Sequence, residues 1–325
     1  MQEFRLMTGA RPTGGLHIGH LLAAFDPFVN SGMIDGSFFV VSDLHMLTTK
    51  FTPEATRGLP AAVRRLVSEA IGFGVDPERT RFYLQSSMPW QARTYVLLQS
   101  LADRDRLELH GSFEEMAAGS AHIRPPTLGL LGYPILENSD VLTLGATHVA
   151  VGDNNHSHFE QLRDILAELR AGWGLDLPTP QVLTSRRNVI GLDGDQKMSK
   201  SLKNAIMFSE GPDGVRERIK DMVAVGPSGV AVAAEYLEAL GAHPDEVQDA
   251  RERTADGSFP PELRVKVADL LVELVEPVWR RSTELQRDPG YLDGLLAFGT
   301  QEANAIGEAR YAEIANALGL LRVSP

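Results

Sequence analysis

Residues 8–20 read Thr8-Gly9-Ala10-Arg11-Pro12-Thr13-Gly14-Gly15-Leu16-His17-Ile18-Gly19-His20. A short apolar run, Phe4 to Met7, precedes them, and the helical run Leu21 to Phe25 follows. A strand, a glycine-rich turn and a helix start together make an anion site, because free backbone N–H groups and the positive end of the helix dipole face the ligand. Gly14 and Gly15 permit a turn that a Cβ would obstruct, and Gly19 allows a backbone or a flat ring to approach closely. His17 and His20 stand three apart, on one face of a helix start, where two imidazoles can donate to phosphate oxygens. Taken alone, they could equally be surface or capping histidines.

A second segment narrows the choice. Lys197-Met198-Ser199-Lys200-Ser201 follows the turn signal Asp193-Gly194-Asp195 and precedes Leu202-Lys203-Asn204. Two lysines three apart on a polar loop can reach the β- and γ-phosphates of a nucleotide as point charges. A solvated basic loop is the bland alternative, and it loses weight beside the histidine segment.

Outward from these segments, Phe38 to Val41, Phe82 to Leu84 and His148 to Val151 read as buried strands. Helical patterns lie between them, at Leu21 to Val29, Pro53 to Phe73, Gln91 to Leu101 and Asn155 to Leu169. Strands alternating with helices imply an α/β unit, a parallel sheet with helices on both faces. Past about Ser201 the strand signals nearly vanish. Leu263 to Gln286 and Asp288 to Leu318 are the longest helical patterns, the second with a break possible at Gly299. The expected organisation is a catalytic α/β domain over 1–202 and a mostly α-helical domain over 203–325.

The chain has 325 residues, 43% hydrophobic and 23% charged, with a net charge of −12 and no cysteine. Disulfides and thiolate metal sites are excluded, and the composition suits a reducing, cytoplasmic setting. No secretory h-region and no apolar run long enough to span a membrane is visible, so no membrane partner is expected. The acidity opposes a broad nucleic-acid surface and leaves room only for a local basic patch. His110, His122, His148, His156 and His158 fit no metal-ligand pattern with a third member, and no metal ligand is assigned. Trp90, Trp173 and Trp279 read most simply as packing residues.

His-Ile-Gly-His at 17–20 and Lys-Met-Ser-Lys-Ser at 197–201, in this order, resemble the two hallmark motifs of class I aminoacyl-tRNA synthetases. Longer segments are similar to the tryptophanyl branch of that family: TGARPTGGLHIGH from Thr8, FFVVSDLHMLTT from Phe38, GYPILENSDVLTLGATHVAVGDNNHSHFEQLRDI from Gly132, and GLDGDQKMSKSLKNAI from Gly191. They track the family through the catalytic half, and the C-terminal helices fit loosely. The resemblance implies a Rossmann-type doubly wound sheet, a helical anticodon-reading domain and a homodimer. It implies ATP and Mg²⁺, an aromatic amino acid resembling tryptophan, and tRNA as acceptor. It assigns catalysis to His17, His20, Lys197 and Lys200. It assigns nucleotide contacts to Arg11, Thr13, Gly19, His20, Gly152, Asn154, Met198 and Ser199, with the Met198 backbone on the leaving pyrophosphate. Amino-acid contacts fall on Val41, His45, Gln85, Tyr133, Glu137, Asp140 and Asn155. Tyr133 would touch the α-amino group, and Asp140 would accept the indole N–H.

The chemistry so implied is attack of a carboxylate on the α-phosphate with pyrophosphate leaving. A substrate carboxylate is ionised at neutral pH and needs no general base. Positioning and charge stabilisation are the whole task, which suits histidine and lysine donors set among glycines.

Four features depart from the family pattern. Glu137 replaces an apolar or amide side chain beside the indole, so it either points outward or meets a polar or cationic group. Gly152-Asp153-Asn154-Asn155 alters two side chains of the usual run. Glu114, Glu115 and Met116 follow Phe113 where lysines are usual. Residues 203–325 carry 13 Lys/Arg against 21 Asp/Glu. These features keep open a paralogue that passes the acyl group to a small amine to form an amide. They also leave a retired synthetase acting as a binding module, and a simpler nucleotidyltransferase.

Overall fold

The computed structural model describes residues 4–31, 35–108, 113, 117, 127–152, 156–184, 189–200 and 202–321. Five parallel strands form its sheet: β1 Leu6–Ala10, β2 Ser37–Val41, β3 Thr80–Leu84, β4 His148–Ala150 and β5 Gln181–Leu183, in the order β3-β2-β1-β4-β5. Side chains alternate between the two faces, as a pleated strand requires. Leu6, Phe39, Val41, Phe82 and Ala150 enter one core, and Met7, Phe38, Val40, Tyr83 and Val149 enter the other. Both faces are apolar because helices cover both, and hence the strands read as continuous hydrophobic runs.

The expected strands at Phe38, Phe82 and His148 are present, while β5 carried no signal. It has three residues, lies at the sheet edge and follows Pro178 and Pro180, which leaves too little pattern to recognise. The expected helix Pro53 to Phe73 is two helices, Pro53–Arg57 and Leu59–Gly72, parted at Gly58. The run from Leu21 opens as a π-turn, Leu21–Phe25, before the α-helix Asp26–Asn30.

The first core does not stop at residue 202. Val63, Leu66 and Val67 of the Leu59–Gly72 helix share it with Leu263, Leu271, Val275 and Val278 of the Pro261–Leu285 helix. The last helix, Pro289–Ala317, lies along the free edge of β3. There Thr300 Oγ1 accepts the otherwise unpaired Leu84 N–H at 3.1 Å, and the helix covers an edge that could pair with another chain.

Gly299 does not interrupt this helix. It is the point where helix and strand approach most closely, and a Cβ there would overlap the Phe82 carbonyl. Gly299→Ala therefore has to push a 29-residue helix off the sheet edge. We expect a loss of about 1–3 kcal/mol in urea unfolding, the usual cost of overpacking. An unchanged midpoint would show that the contact is slack.

The order β3-β2-β1-β4-β5 has its switch point between β1 and β4, where the chain turns from building leftward to building rightward. In open α/β sheets a crevice forms there, outside the carboxyl ends of the strands.

Candidate active site

Four strand ends deliver the site. The glycine-rich turn follows β1, His45 follows β2, Gln85 follows β3 and Gly152 follows β4. All lie at the carboxyl end of the sheet around the switch point.

Gly14 and Gly15 take φ of 107° and 88°, values open to glycine and strained for other residues. His17 is not yet helical. It caps the Ile18–His20 turn with φ −123° and ψ 166°, and its backbone N–H donates to His20 Nδ1 at 3.2 Å. A histidine that accepts at Nδ1 carries its proton on Nε2, so His20 presents a donor away from the turn. The two rings lie 3.7 Å apart, and a Cβ on Gly19 would press on the His17 ring at 3.0 Å. Gly19 is thus needed for the rings to fold together. Burial foremost, then the Lys200 and Lys197 charges, lowers the His17 pKa to about 3. Burial and His17 hold His20 well below the usual range. Both rings are neutral donors at neutral pH, able to meet phosphate without titrating.

The lysine segment is joined to this turn by backbone. Ile18 N–H donates to Ile206 O at 3.2 Å and Phe208 N–H to Leu16 O at 3.1 Å, so the chain leaving the second motif pairs with the first. Lys200 Nζ reaches Gly15 O at 2.6 Å and Thr13 Oγ1 at 3.1 Å. Lys197 is exposed and bears on His17 through its charge. The Met198 side chain packs over Gly19, with its Cβ 3.5 Å from where a Gly19 Cβ would lie. The Met198 N–H, expected on pyrophosphate, donates to Val189 O at 2.9 Å in a bridge that anchors the loop. Met198 therefore contributes its side chain in this conformation, because the bridge already uses its N–H. Ser199 N–H is held by Asn204 Oδ1 at 2.7 Å, and Asn204 Nδ2 donates to Asp193 Oδ2 at 2.9 Å. Asn204 ties the two stems of the loop together from a buried position. It lies three residues past the motif, and only its type, an amide that both accepts and donates, hints at the part it plays.

Lys50, after the Asp43–Thr49 helix, reaches Thr13 O at 3.5 Å. Burial foremost, and with it the Arg11 charge, lowers the pKa of Lys50, Lys200, His20 and His45, so Arg11 acts on both halves of the site. Arg11, Lys50, Lys197 and Lys200 thus converge on a turn of glycines and neutral histidines. Such a cradle is repulsive when empty and suits a polyphosphate.

The other half of the site is a buried polar network. Gln85 is fully buried. Its amide nitrogen donates to Asp140 Oδ2 at 2.6 Å and meets His45 Nδ1 at 3.0 Å, and its oxygen accepts the His45 N–H at 3.2 Å. His45 then has its proton on Nε2, which donates to the Tyr133 carbonyl at 3.0 Å. Tyr83 O–H donates to Asp140 Oδ1 at 3.2 Å. Burial raises the Asp140 pKa well above the usual carboxylate range, against the pull of those two donors. Gln85 is therefore an organiser behind the pocket. Asp43, which the sequence reading passed over, accepts Ser86 N–H at 2.9 Å and steadies the same strand end.

Glu137 meets His158. Its Oε2 accepts from His158 Nδ1 at 2.7 Å, and His158 Nε2 lies 2.9 Å from the Tyr133 hydroxyl. The carboxylate expected beside the pocket is thus compensated by a buried ring that sequence reasoning set aside. His158 sits beside Phe159 at the head of a helix whose buried side includes Leu162 and Ile165, and that position was the available signal.

Val41 is at the end of β2 with its side chain enclosed in the first core, and it belongs to the wall behind the site. Gly152 is half-buried at the end of β4, while Asn154 and Asn155 lie outside the described residues. So do Glu114, Glu115, Met116, His110 and His122. Trp90 stacks near Tyr311 and Trp279 abuts Gly211, as packing residues do. Trp173 is instead 43% exposed at a helix end.

Comparison with known families decides what this arrangement belongs to. The model of tRNA synthetases class I (W and Y) matches residues 1–258. The chain is a member of that family. The tryptophan–tRNA ligase of Treponema pallidum is 33% identical over 97% of each chain, and that of Chlamydia caviae 29% identical over 98% of this chain and 96% of its own. Among solved structures, tryptophanyl-tRNA synthetase of Campylobacter jejuni complexed with ADP and tryptophan has a TM-score of 0.80 at 23% identity, covering 98% of this chain and 100% of that one. The Mycoplasma pneumoniae tryptophanyl-tRNA synthetase has a TM-score of 0.82 at 22% identity, covering 98% and 99%. The fold is that of these synthetases, a parallel sheet with a helical domain after it. Among the described residues no helix is long and apolar enough to cross a membrane.

The buried titrating groups of the synthetase site give stability a definite pH dependence. His17, His20 and His45 stay neutral in the fold, with pKa lowered to about 3, well below the usual value, and to about 4. When unfolded they take up protons below pH 6.5. Glu69 and Asp140 act in the opposite sense: their raised folded pKa values keep protons that the unfolded chain releases above about 4.5. Three imidazoles outweigh two carboxyls, so below about pH 6.5 the unfolded state binds more protons than the folded state, and stability should fall on acidification from pH 6 to pH 5. Urea midpoints at pH 5 and 6 check this, and a flat or rising stability would contradict it.

Proposed function

We propose that this synthetase activates tryptophan with ATP, releasing pyrophosphate, and then transfers the tryptophanyl group to tRNA. The observation that carries the reading is the convergence of four cations and two neutral imidazoles on the glycine turn after β1, with a buried Asp140 network at the ends of β2 and β3. One half suits a triphosphate, and the other suits an aromatic ring with one N–H to place.

His20 Nε2 and His17 would donate to phosphate oxygens, while Lys197 and Lys200 take up the charge of the departing pyrophosphate. Lys200 must leave Gly15 and Thr13 to do so. No side chain need accept a proton, since the attacking carboxylate is already ionised. Asp140 has lone pairs left after Tyr83 and Gln85, and an indole N–H would satisfy one of them. The Tyr133 hydroxyl would face the α-ammonium. Mg²⁺ would neutralise phosphate charge, held chiefly by the phosphate oxygens, because the side chains that converge on the turn are cationic or imidazole. The helical part, 203–325, would read the tRNA, with Arg251, Arg253 or Arg264 supplying local positive charge on an acidic background. A homodimer in the cytoplasm is the assembly and setting that the sequence reading implies.

The support for tryptophan over another aromatic acid is that curated relatives bearing that name align along nearly the whole chain. ATP–pyrophosphate exchange across tryptophan, tyrosine, phenylalanine and substituted aromatic acids tests the first step. Exchange dependent on tryptophan is expected, and exchange with another acid alone would redirect the substrate.

A further inference from the structure

The Leu59–Gly72 helix carries a carboxylate on its apolar side. Glu69 is 1% exposed, one helical turn from the buried Leu66. Its Oε2 accepts the Leu16 N–H at 2.5 Å, and its Oε1 is buried without a hydrogen-bond partner. That oxygen is directed at the glycine turn, 3.1 Å from where a Cβ on Gly15 would lie. Lys200 Nζ holds the Gly15 carbonyl. The residue pair Gly15-Leu16 is thus held by a buried carboxyl group and by the second motif's lysine.

A buried carboxylate with an idle oxygen is costly unless its charge is used. Holding Leu16 N–H alone needs only a neutral amide. The charges facing Glu69 are Arg65, one turn earlier on its own helix, and Lys200. The Pro261–Leu285 helix packed behind offers Ser282 to Ser68 and the Val278 carbonyl to Gly72, neither of them charged. Lys50 and Arg11 bear on Lys200 as further cations, Lys197 bears with Lys200 on His17, and among the described residues Glu69 is the anionic group that acts on Lys200.

We propose that Glu69 is a positioning residue for adenylate formation, fixing the Leu16 N–H of the phosphate-binding turn and supplying the negative charge that offsets Lys50 and Arg11 around the Lys200 ammonium. The inference rests on the reading of Lys200 as a cation for departing pyrophosphate. It also explains how the turn keeps its shape once a nucleotide draws Lys200 off Gly15, since Leu16 stays tied to the helix. The titration behaviour agrees: burial, then Lys50, lowers Lys200 to about 8 while Glu69 raises it, and burial pushes Glu69 up to about 7.

Glu69→Gln keeps an acceptor for Leu16 and removes the charge. With tryptophan saturating and ATP limiting, the parent's kcat/KM for ATP in pyrophosphate exchange, which reports the free enzyme, should fall along an alkaline limb near pH 8. In Glu69→Gln that limb should move down by about half a pH unit or more, and Lys200→Arg, slower at every pH, should lose it. A uniform loss of kcat/KM with an unmoved limb would reduce Glu69 to a structural role and overturn the inference. Should Glu69→Gln not fold, Glu69→Asp, which shortens the reach of the charge, takes its place, and should the parent show no exchange at all, amine-selective acylation of Lys200, read by mass spectrometry in parent and variant, still decides. A transition lower in the variant than in the parent supports the inference, because Glu69 raises Lys200, and an unmoved transition contradicts it. Absent exchange with a transition that moves in the variant would refute the assigned activity and leave the Glu69–Lys200 coupling standing.

Discussion

Lys200→Ala lowers kcat for tryptophan-dependent pyrophosphate exchange by about 10²–10³-fold, with KM for tryptophan changed little. In the nucleotide-free arrangement Lys200 is spent on Gly15 and Thr13, beside other cations that repel it. Those contacts are exchanged for phosphate as negative charge builds on the leaving pyrophosphate. The gain is therefore realised in the transition state more than in the ground state, and it should appear in kcat. The lysine is far from the Asp140 network in role and in bonding, so tryptophan binding should hardly register its loss. Steady-state exchange kinetics check this, and a kcat within about threefold of the parent would remove Lys200 from the chemistry.

The second large effect falls on the other half of the site. Asp140→Ala weakens tryptophan binding by about 1–3 kcal/mol, because the indole N–H enters a pocket without its acceptor. It also strands Tyr83 O–H and one Gln85 N–H, both fully buried, and so lowers stability by a comparable amount. The ATP dependence of exchange should be close to that of the parent, since among the described residues Asp140 bonds to Tyr83 and Gln85 and not to the glycine turn or the lysines. Equilibrium dialysis with tryptophan, together with a thermal melt, separates the binding loss from the stability loss. Equal affinity in variant and parent would show that Asp140 does not read the indole.

Local chemistry was legible in the sequence, and its long-range completion was not. The strands from Phe38, Phe82 and His148 declared themselves because burial on both faces makes continuous apolar runs, whereas β5 is too short and too proline-flanked to do so. The glycines, histidines and lysines of the two motifs announced a phosphate site because that chemistry needs those types close together. Nothing local told that residues 206–208 pair with 16–18, or that Asn204 ties the lysine loop to Asp193. Those bonds join segments nearly two hundred residues apart or lie past the end of the motif. Glu69 left one trace, a carboxylate on the apolar stripe of an amphipathic helix beside Leu66 and Ala70. Glu137 was visible as a departure from the family, but its partner His158 could be found only by folding the chain. The pocket's polar groups are oriented from behind, by Gln85 and His158, and sequence position carries no record of that.

The central claim concerns what receives the activated group. The most direct test is to preform labelled tryptophanyl-adenylate on the enzyme, add tRNA, and follow the label in a single turnover. The account predicts transfer to tRNA, seen as acid-precipitable label released by mild base. Adenylate that forms and then stays on the enzyme in the presence of tRNA, yet yields an amide when a small amine is supplied, would contradict it.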